Sequence, residues 1–320
     1  MPAATNPALV QAQSHGFPAV YRARAPLGVD GAKAWIAQNR QAVISQLDKS
    51  GAVLLRGFGL TTDADFDGVV QAFSWPNFTY ADSLSNAVRR NRTERVFTAN
   101  EAPPDVSIFL HHEMAQTPVY PSRLFFFCEQ PAQQGGATPI CRSDHLLTRL
   151  TQAAPAFVQA CETRGVKYSQ TMPLSDDLNS GQGRSWRSTL SADHRAEAEA
   201  KLRHLGYQWQ WQPDESLSVT TPVLPAVRQL SDGSRSFFNQ LIAAFFGWQD
   251  ARNDSGKAIC FGDGSAIDSD AMALAIELAE DLTVELAWQL GDVAIVDNFR
   301  VMHGRRPFQG QRRVLASLVA

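Results

Sequence analysis

The sequence predicts an α+β fold in which strands from both ends of the chain meet in a layered sheet sandwich or barrel. Two observations carry that expectation. Short apolar runs of strand length recur from residue 52 to residue 319, with helical segments between them. The outermost runs lie almost a whole chain apart, so a shared sheet has to pair distant segments. With 320 residues, 44% hydrophobic and 19% charged, the chain can bury a large core without disulfides or metals as staples. It reads as one domain over 1–320, with 1–20 as an extended N-terminal arm.

The elements follow in order. Ala34, Ile36, Val43, Ile44 and Leu47 recur at helical intervals within 31–49, and Gly51 stops that helix. Ala52–Leu55 is a short apolar strand ending at Arg56-Gly57, and Asp63–Phe73 is a second helix broken by Trp75-Pro76. Val106–Leu110 and Leu124–Cys128 have the length and apolarity of buried strands; Pro131, Gly135 and Gly136 then mark a turn-rich stretch. Ser191 suits the cap of a helix over Asp193–Leu205, closed by Gly206. Tyr207, Trp209 and Trp211 alternate with glutamines, as in a strand whose aromatic face packs on a core. Asp268 caps a helix to about Ala279, and Val293–Val296 and Val314–Val319 are late strands.

Composition excludes several classes. The four cysteines, Cys128, Cys141, Cys161 and Cys260, contain no CxxC pair, which suits a reducing compartment and gives no zinc ribbon. Met1–His15 has no charged region followed by an apolar core, and runs such as Leu124–Cys128 are far too short to span a membrane. A cytoplasmic enzyme is expected, with no membrane partner. The net charge is −3, and the single basic cluster, Arg89, Arg90, Arg92 and Arg95, reads as a solvated loop rather than an anion-docking face. No nucleic-acid partner is expected.

The chemistry gathers at Leu110-His111-His112-Glu113-Met114. On a strand or its edge, residues two apart face the same way, so His111 and Glu113 present an imidazole and a carboxylate together while His112 faces away. One more histidine would complete a facial triad, whose open positions on iron(II) accept a bidentate acid and dioxygen. His303 is the candidate, placed beyond the far end of the strand Val293–Val296, in the run from Asp297 to Arg305 that follows it. Of the seven histidines, His15, His145, His194 and His204 lack a carboxylate at i+2 and read as surface or packing residues. An HxE pair alone is a common coincidence; the distant partner and the arginines after it give it weight. Arg312 and Arg313 open the last strand and must point to opposite faces, so one turns inward, where it can receive a remote carboxylate.

Longer stretches carry a resemblance. His111-His112-Glu113-Met114-Ala115, Pro121-Ser122-Arg123-Leu124-Phe125-Phe126-Phe127-Cys128-Glu129 and Gly135-Gly136-Ala137-Thr138-Pro139-Ile140 resemble the TauD/TfdA family of 2-oxoglutarate dioxygenases. Within it they are similar to the branch of the syringomycin-biosynthesis aspartate hydroxylase and clavaminate synthase-like proteins. Arg56-Gly57-Phe58, Gly183-Arg184-Ser185-Trp186, Phe238-Asn239-Gln240, Phe261-Gly262-Asp263-Gly264-Ser265 and His303-Gly304-Arg305-Arg306-Pro307 extend the likeness from about Gly51 to the last residue.

The resemblance implies a double-stranded β-helix, the clavaminate synthase-like jelly roll, with flanking helices. It implies Fe(II), 2-oxoglutarate as cosubstrate and O2, with His111, Glu113 and His303 as metal ligands. Thr138 would hydrogen-bond 2-oxoglutarate, and Arg313, chosen over Arg312 on register, would bind its distal carboxylate. The implied reaction hydroxylates a C–H bond of an amino acid or amino-acid-derived substrate, free or carrier-tethered, in specialised metabolism, releasing succinate and CO2. Glu113 at the carboxylate position speaks against a halogenase, whose relatives carry a small residue there. Arg184, Asn239 and Arg305 are the candidate substrate contacts, with Asn77–Glu101 and Gln170–Trp186 as covering loops. The family is often oligomeric, so a homo-oligomer is allowed. Three alternatives stand beside this reading: a dioxygenase of sulfonates, sulfate esters or aryloxy acids, a catalytically idle ligand-binding barrel, and a zinc hydrolase using the same ligands.

Overall fold

In the strand Arg123–Gln130, Leu124 and Phe126 face one side and Phe125 and Phe127 the other, and all four are buried. A strand covered on both faces reads as an unbroken apolar run, which is why the sequence pattern there does not alternate. The computed structural model describes residues 10–79, 83–85, 87–177, 183–247 and 258–320. Its large sheet has eight strands. Along its main path lie Val10–Gln13, Ala19–Ala23, Ala52–Arg56, Val293–Asp297, Arg123–Gln130, Arg313–Val319 and Asn77–Phe78, and Phe97–Thr98 also pairs with Arg313–Val319. Phe125, Phe127, Ile295 and Leu315 on its outer face meet Ile36, Val43 and Leu47 of the helix Gly28–Ser50 and Phe66 and Val69 of the helix Asp63–Ala72.

A second sheet faces the first, in the order Val284–Leu286, Thr138–Arg142, Val301–Arg305, Ile108–His111. Ile140, Leu286 and Val301 from it join Leu124, Phe126, Ala294, Val296, Val314 and Ala316 in the cluster between the sheets. Its outer side, with Leu110, Cys141 and Met302, is covered by the helices Ser143–Ala153, Pro155–Arg164, Leu241–Gly247 and Ser269–Asp281. Two facing sheets with helices on both outer sides make the expected double-stranded β-helix with flanking helices. No described helix is long and apolar enough to cross a membrane, and none of the four cysteines is in a disulfide.

Several local expectations shift. Residues 1–9 of the expected arm lie outside the described residues, and Val10–Gln13 is an edge strand hydrogen-bonded to Ala19–Ala23. Its residues are mostly exposed, so no apolar pattern announced it. Ser191 does not cap the next helix: it adopts a left-handed conformation after Trp186–Leu190, which Ser185 caps, and the following helix is Arg195–His204. Asp268 caps Ser269–Asp281 as read, accepting from the backbone of Asp270 and Ala271. His303 lies beyond the end of the strand Val293–Asp297, as read, and sits inside a strand of its own, Val301–Arg305, because the chain turns back after Asp297.

Candidate active site

His303 and His111 sit opposite each other in neighbouring antiparallel strands, with ring centroids 4.3 Å apart. The register shifts between His303 and Arg305, where Gly304 alone faces Phe109 and Leu110 of the partner strand. A Cβ there would lie 2.4 Å from the Ile108 carbonyl oxygen, so the strands can approach only around a glycine.

The chain leaves its strand after His111. His112 turns away, as expected, meets the Phe238 ring at a tilt and donates from Nδ1 to the Asn298 carbonyl. Asn298 then fixes Glu113 from behind: its Oδ1 accepts from the Glu113 N–H at 2.8 Å, and its Nδ2 donates to the Glu113 carbonyl at 2.9 Å and the Pro121 carbonyl at 2.8 Å. Met114 follows at φ 60, a left-handed conformation costly for a side chain with a Cβ and held here by the Asn298 bonds and full burial. This turn brings Glu113 Oε2 to 3.6 Å from His303 Nε2. The ligand atoms of His111, Glu113 and His303 lie within 4.8 Å of one another, the only such group among the described residues.

The protonation states suit a metal. Burial, reinforced by neighbouring His303, pushes His111 down to about 4, so its ring is neutral at physiological pH. Its Nδ1–H donates to the Phe109 carbonyl at 2.8 Å, which leaves Nε2 as the bare donor atom. Burial alone would raise Glu113, but Arg89, at 2.9 and 3.0 Å from its two oxygens, and His303 outweigh it and hold the carboxyl well below its usual range. Two imidazoles and one carboxylate on one side of a cavity match the facial set of an iron(II) oxygenase, with the remaining positions open to small ligands.

Beside the triad, the cavity wall holds Thr138 and Arg312. The Thr138 hydroxyl accepts from Trp288 Nε1 at 2.9 Å and Arg312 Nη2 at 3.3 Å, so its own proton is free to donate elsewhere. Arg312 Nε donates to the Gly136 carbonyl at 2.8 Å. Burial, with Arg305 nearby, lowers Arg312 to about 10, still cationic at neutral pH.

Arg313 is a correction. Its side chain is 53% exposed and pairs with Glu129 on the outer surface at 2.7 Å. Val314 and Ala316 belong to the interior cluster, and Arg312, just ahead of the strand Arg313–Val319, lines the cavity together with Val314, whereas Arg313 does not. Both faces of this strand are apolar, so the sequence alone could not fix which parity faces inward.

The expected substrate contacts also move. Arg184 is buried and donates to the carbonyls of Ser83 and Ser188 at 2.7 and 2.9 Å, bracing the segment that carries Ser85 instead of lining the cavity. Asn239 is likewise engaged behind the wall, donating to the Ala226 carbonyl and accepting from the Leu241 N–H. Arg305 does line the cavity, but its guanidinium is held by the carbonyls of Ala102, Pro103 and Val106 at 2.6–2.9 Å. Of the two covering loops, residues 80–82, 86 and 178–182 lie outside the described residues. The residue the sequence reading missed is Arg89. Arg92 and Arg95 of the same cluster do pair at the surface, with Asp63, Glu129 and Asp67. Arg89 points inward, and a basic run holds no local signal that singles out one member.

The family model described as taurine catabolism dioxygenase TauD, TfdA family, matches residues 13–318. The chain belongs to the TauD/TfdA family. A clavaminate synthase-like protein of Arabidopsis thaliana is 41% identical over 275 residues, covering 86% of this chain and 83% of that one. The dapdiamide synthesis protein DdaC of Enterobacter agglomerans is 26% identical over 291 residues, covering 85% and 83%. PvcB of Pseudomonas aeruginosa shares the fold with a TM-score of 0.55 at 13% identity, covering all of this chain and 94% of its own. An asparagine oxygenase in complex with Fe(II), hydroxyasparagine and succinate gives 0.54 at 13%, covering 91% and 83%. As a TauD/TfdA dioxygenase the protein is an oxidoreductase that uses iron, 2-oxoglutarate and dioxygen. That membership leaves the idle-barrel and zinc-hydrolase readings without support.

Proposed function

We propose that His111, Glu113 and His303 hold the iron, that Thr138 and Arg312 hold 2-oxoglutarate, and that the enzyme hydroxylates a C–H bond of a small amino-acid-like substrate. The observation that carries the substrate class is the rest of the cavity wall: Ser85, Arg89, Asn100, Gln116 and Gln240 line the same cavity as the triad, Thr138 and Arg312. Such a wall suits a small molecule with several polar groups. DdaC, a dapdiamide synthesis protein, and the oxygenase solved with hydroxyasparagine support the same class. That one cavity draws residues from strands of both sheets supports a single oxygenase domain.

Bound iron, with 2-oxoglutarate and dioxygen, supplies the oxidising power, and succinate and CO2 leave. The protein's own contribution is placement. The charge of Arg312 and the proton of Thr138 fix the remote carboxylate and thereby the orientation of the keto acid. Asn298 and the Met114 turn keep the Glu113 carboxylate aimed at the two imidazoles. The test is a screen that follows substrate-dependent succinate release with free amino acids, aminoacyl thioesters and small sulfonates. Turnover confined to amino-acid substrates is expected; turnover of sulfonates alone contradicts the proposal.

A further inference from the structure

We infer that Trp288 is a positioning residue for 2-oxoglutarate: its indole N–H turns the Thr138 hydroxyl so that the hydroxyl proton faces the cosubstrate, and an Arg56–Asp292 pair holds Trp288 in place. This deepens the reading above and rests on its assignment of Thr138 and Arg312 to 2-oxoglutarate.

The argument begins with what a hydroxyl can bond. A threonine hydroxyl offers one proton and two lone pairs, and it rotates to suit its neighbours. Thr138 is buried, and two donors converge on its oxygen, Trp288 Nε1 at 2.9 Å and Arg312 Nη2 at 3.3 Å. Both lone pairs are therefore engaged. Indole and guanidinium nitrogens donate and cannot accept, so neither neighbour can take the Thr138 proton. That proton is left for an acceptor in the cavity that Thr138 and Arg312 line together. A carboxylate of bound 2-oxoglutarate is such an acceptor, and it meets a hydroxyl already turned the right way. Of the two donors, Arg312 also has the carboxylate to serve. Trp288 has a single N–H and gives it to Thr138.

The fold explains why the indole reaches this oxygen and stays there. Leu286 pairs with Thr138 across the antiparallel strands Val284–Leu286 and Thr138–Arg142, which brings the chain two residues later to the same hydroxyl. Trp288 lies beyond the last paired residue, so the ladder does not fix it. Arg56 and Asp292 do, from either side. Arg56 Nη2 donates to the Ala287 carbonyl at 2.8 Å, and Asp292 Oδ2 accepts from the Gln289 N–H at 2.9 Å. These are the residues before and after Trp288. The two clamping side chains are themselves joined in a two-pronged pair, Arg56 Nε to Asp292 Oδ1 at 2.9 Å and Nη2 to Oδ2 at 2.5 Å, with Asp292 fully buried. The indole packs against the cluster between the sheets. The Arg56-Gly57 and Gly291-Asp292 pairs, read from the sequence only as strand ends, thus bear on the cosubstrate through one turn of chain.

The test compares 2-oxoglutarate with 2-oxobutyrate, a keto acid that chelates a metal in the same way but has no remote carboxylate. Affinity for each is read from the visible band of the anaerobic Fe(II) complex. Trp288→Phe keeps an aromatic ring and removes the N–H. It should weaken 2-oxoglutarate about fivefold, the scale of one neutral hydrogen bond, and leave 2-oxobutyrate and Fe(II) within about twofold. In a Thr138→Val background the same change should have no further effect, because the two residues act as one unit. An unaltered affinity in Trp288→Phe overturns the inference. So does an equal loss for both keto acids, or a loss that persists in Thr138→Val, since Trp288 would then serve the fold or the metal. A reading that leaves Trp288 unchanged comes from 15N labels on the seven tryptophans of the Zn(II)-loaded protein. One indole N–H resonance should move both in Thr138→Val and on adding 2-oxoglutarate to wild type, and stay in place with 2-oxobutyrate. A spectrum in which no resonance does so overturns the inference even if Trp288→Phe fails to fold. Absence of the band in wild type, or full 2-oxoglutarate affinity in Thr138→Val, is a different failure and overturns the underlying assignment of the site.

Discussion

Arg312 and Arg313 are neighbours of identical chemistry, and the start of the last strand at Arg313 gives them different surroundings. Arg312 is enclosed with Thr138, whereas Arg313 meets solvent and Glu129. Replacing Arg312 with methionine should weaken 2-oxoglutarate binding by about 100-fold, the scale of losing a buried charge-assisted contact, while Arg313→Met should change it less than about threefold. Titration of the anaerobic iron complex with 2-oxoglutarate measures both; equal effects would contradict the assignment. Asn298 shows what a buried amide can hold. Its three bonds tie Glu113 to Pro121 across the chain turn, so Asn298→Ala should destabilise the fold by about 2–4 kcal/mol in urea unfolding and lower iron affinity as well. The triad was legible because His111 and Glu113 are two residues apart and His303 has a recognisable setting. Arg89 was not, because its inward turn depends on where the segment leading to Phe97–Thr98 crosses the cavity.

At the scale of elements, two glycines set the site. Gly136 adopts φ 67, and a Cβ there would come 2.9 Å from Arg312 Cδ, so Gly136→Ala should displace that side chain and weaken 2-oxoglutarate binding more than iron binding. Gly304→Ala should do the reverse. Its Cβ would meet the Ile108 carbonyl, part the strands that carry His111 and His303, and lower iron affinity first. Competition with a fluorescent iron chelator separates the two. Helices and apolar strands were largely legible, since Asp63–Ala72, Ser269–Asp281 and Arg123–Gln130 each carry their period or their caps in the sequence. The edge strand Val10–Gln13 and the bulge opposite Gly304 were not, because both are settled by partners far along the chain.

For the molecule as a whole, three apolar clusters are stacked by two sheets, and the triad sits where the inner cluster opens. That burial has a consequence for pH. Burial pushes His111 to about 4 and His112 to about 3, against an ordinary 6.5, so both take up protons when the metal-free protein unfolds at mildly acidic pH. The unfolded state binds more protons in that window, and stability therefore falls as pH drops from about 6.5 toward 4. Each histidine should remove about 2 kcal/mol between pH 7 and pH 5, read from urea midpoints, and His112→Phe should flatten the slope. The fold class was legible because strands at both ends of the chain had to meet; the choice of Arg312 was not, because only the closed barrel says which face is inside. The most direct measurement is the visible charge-transfer band of the anaerobic complex with Fe(II) and 2-oxoglutarate. It should form in wild type and in Arg313→Met, and vanish in His111→Ala and His303→Ala. A folded, iron-loaded wild-type protein that shows no band on adding 2-oxoglutarate would contradict the account.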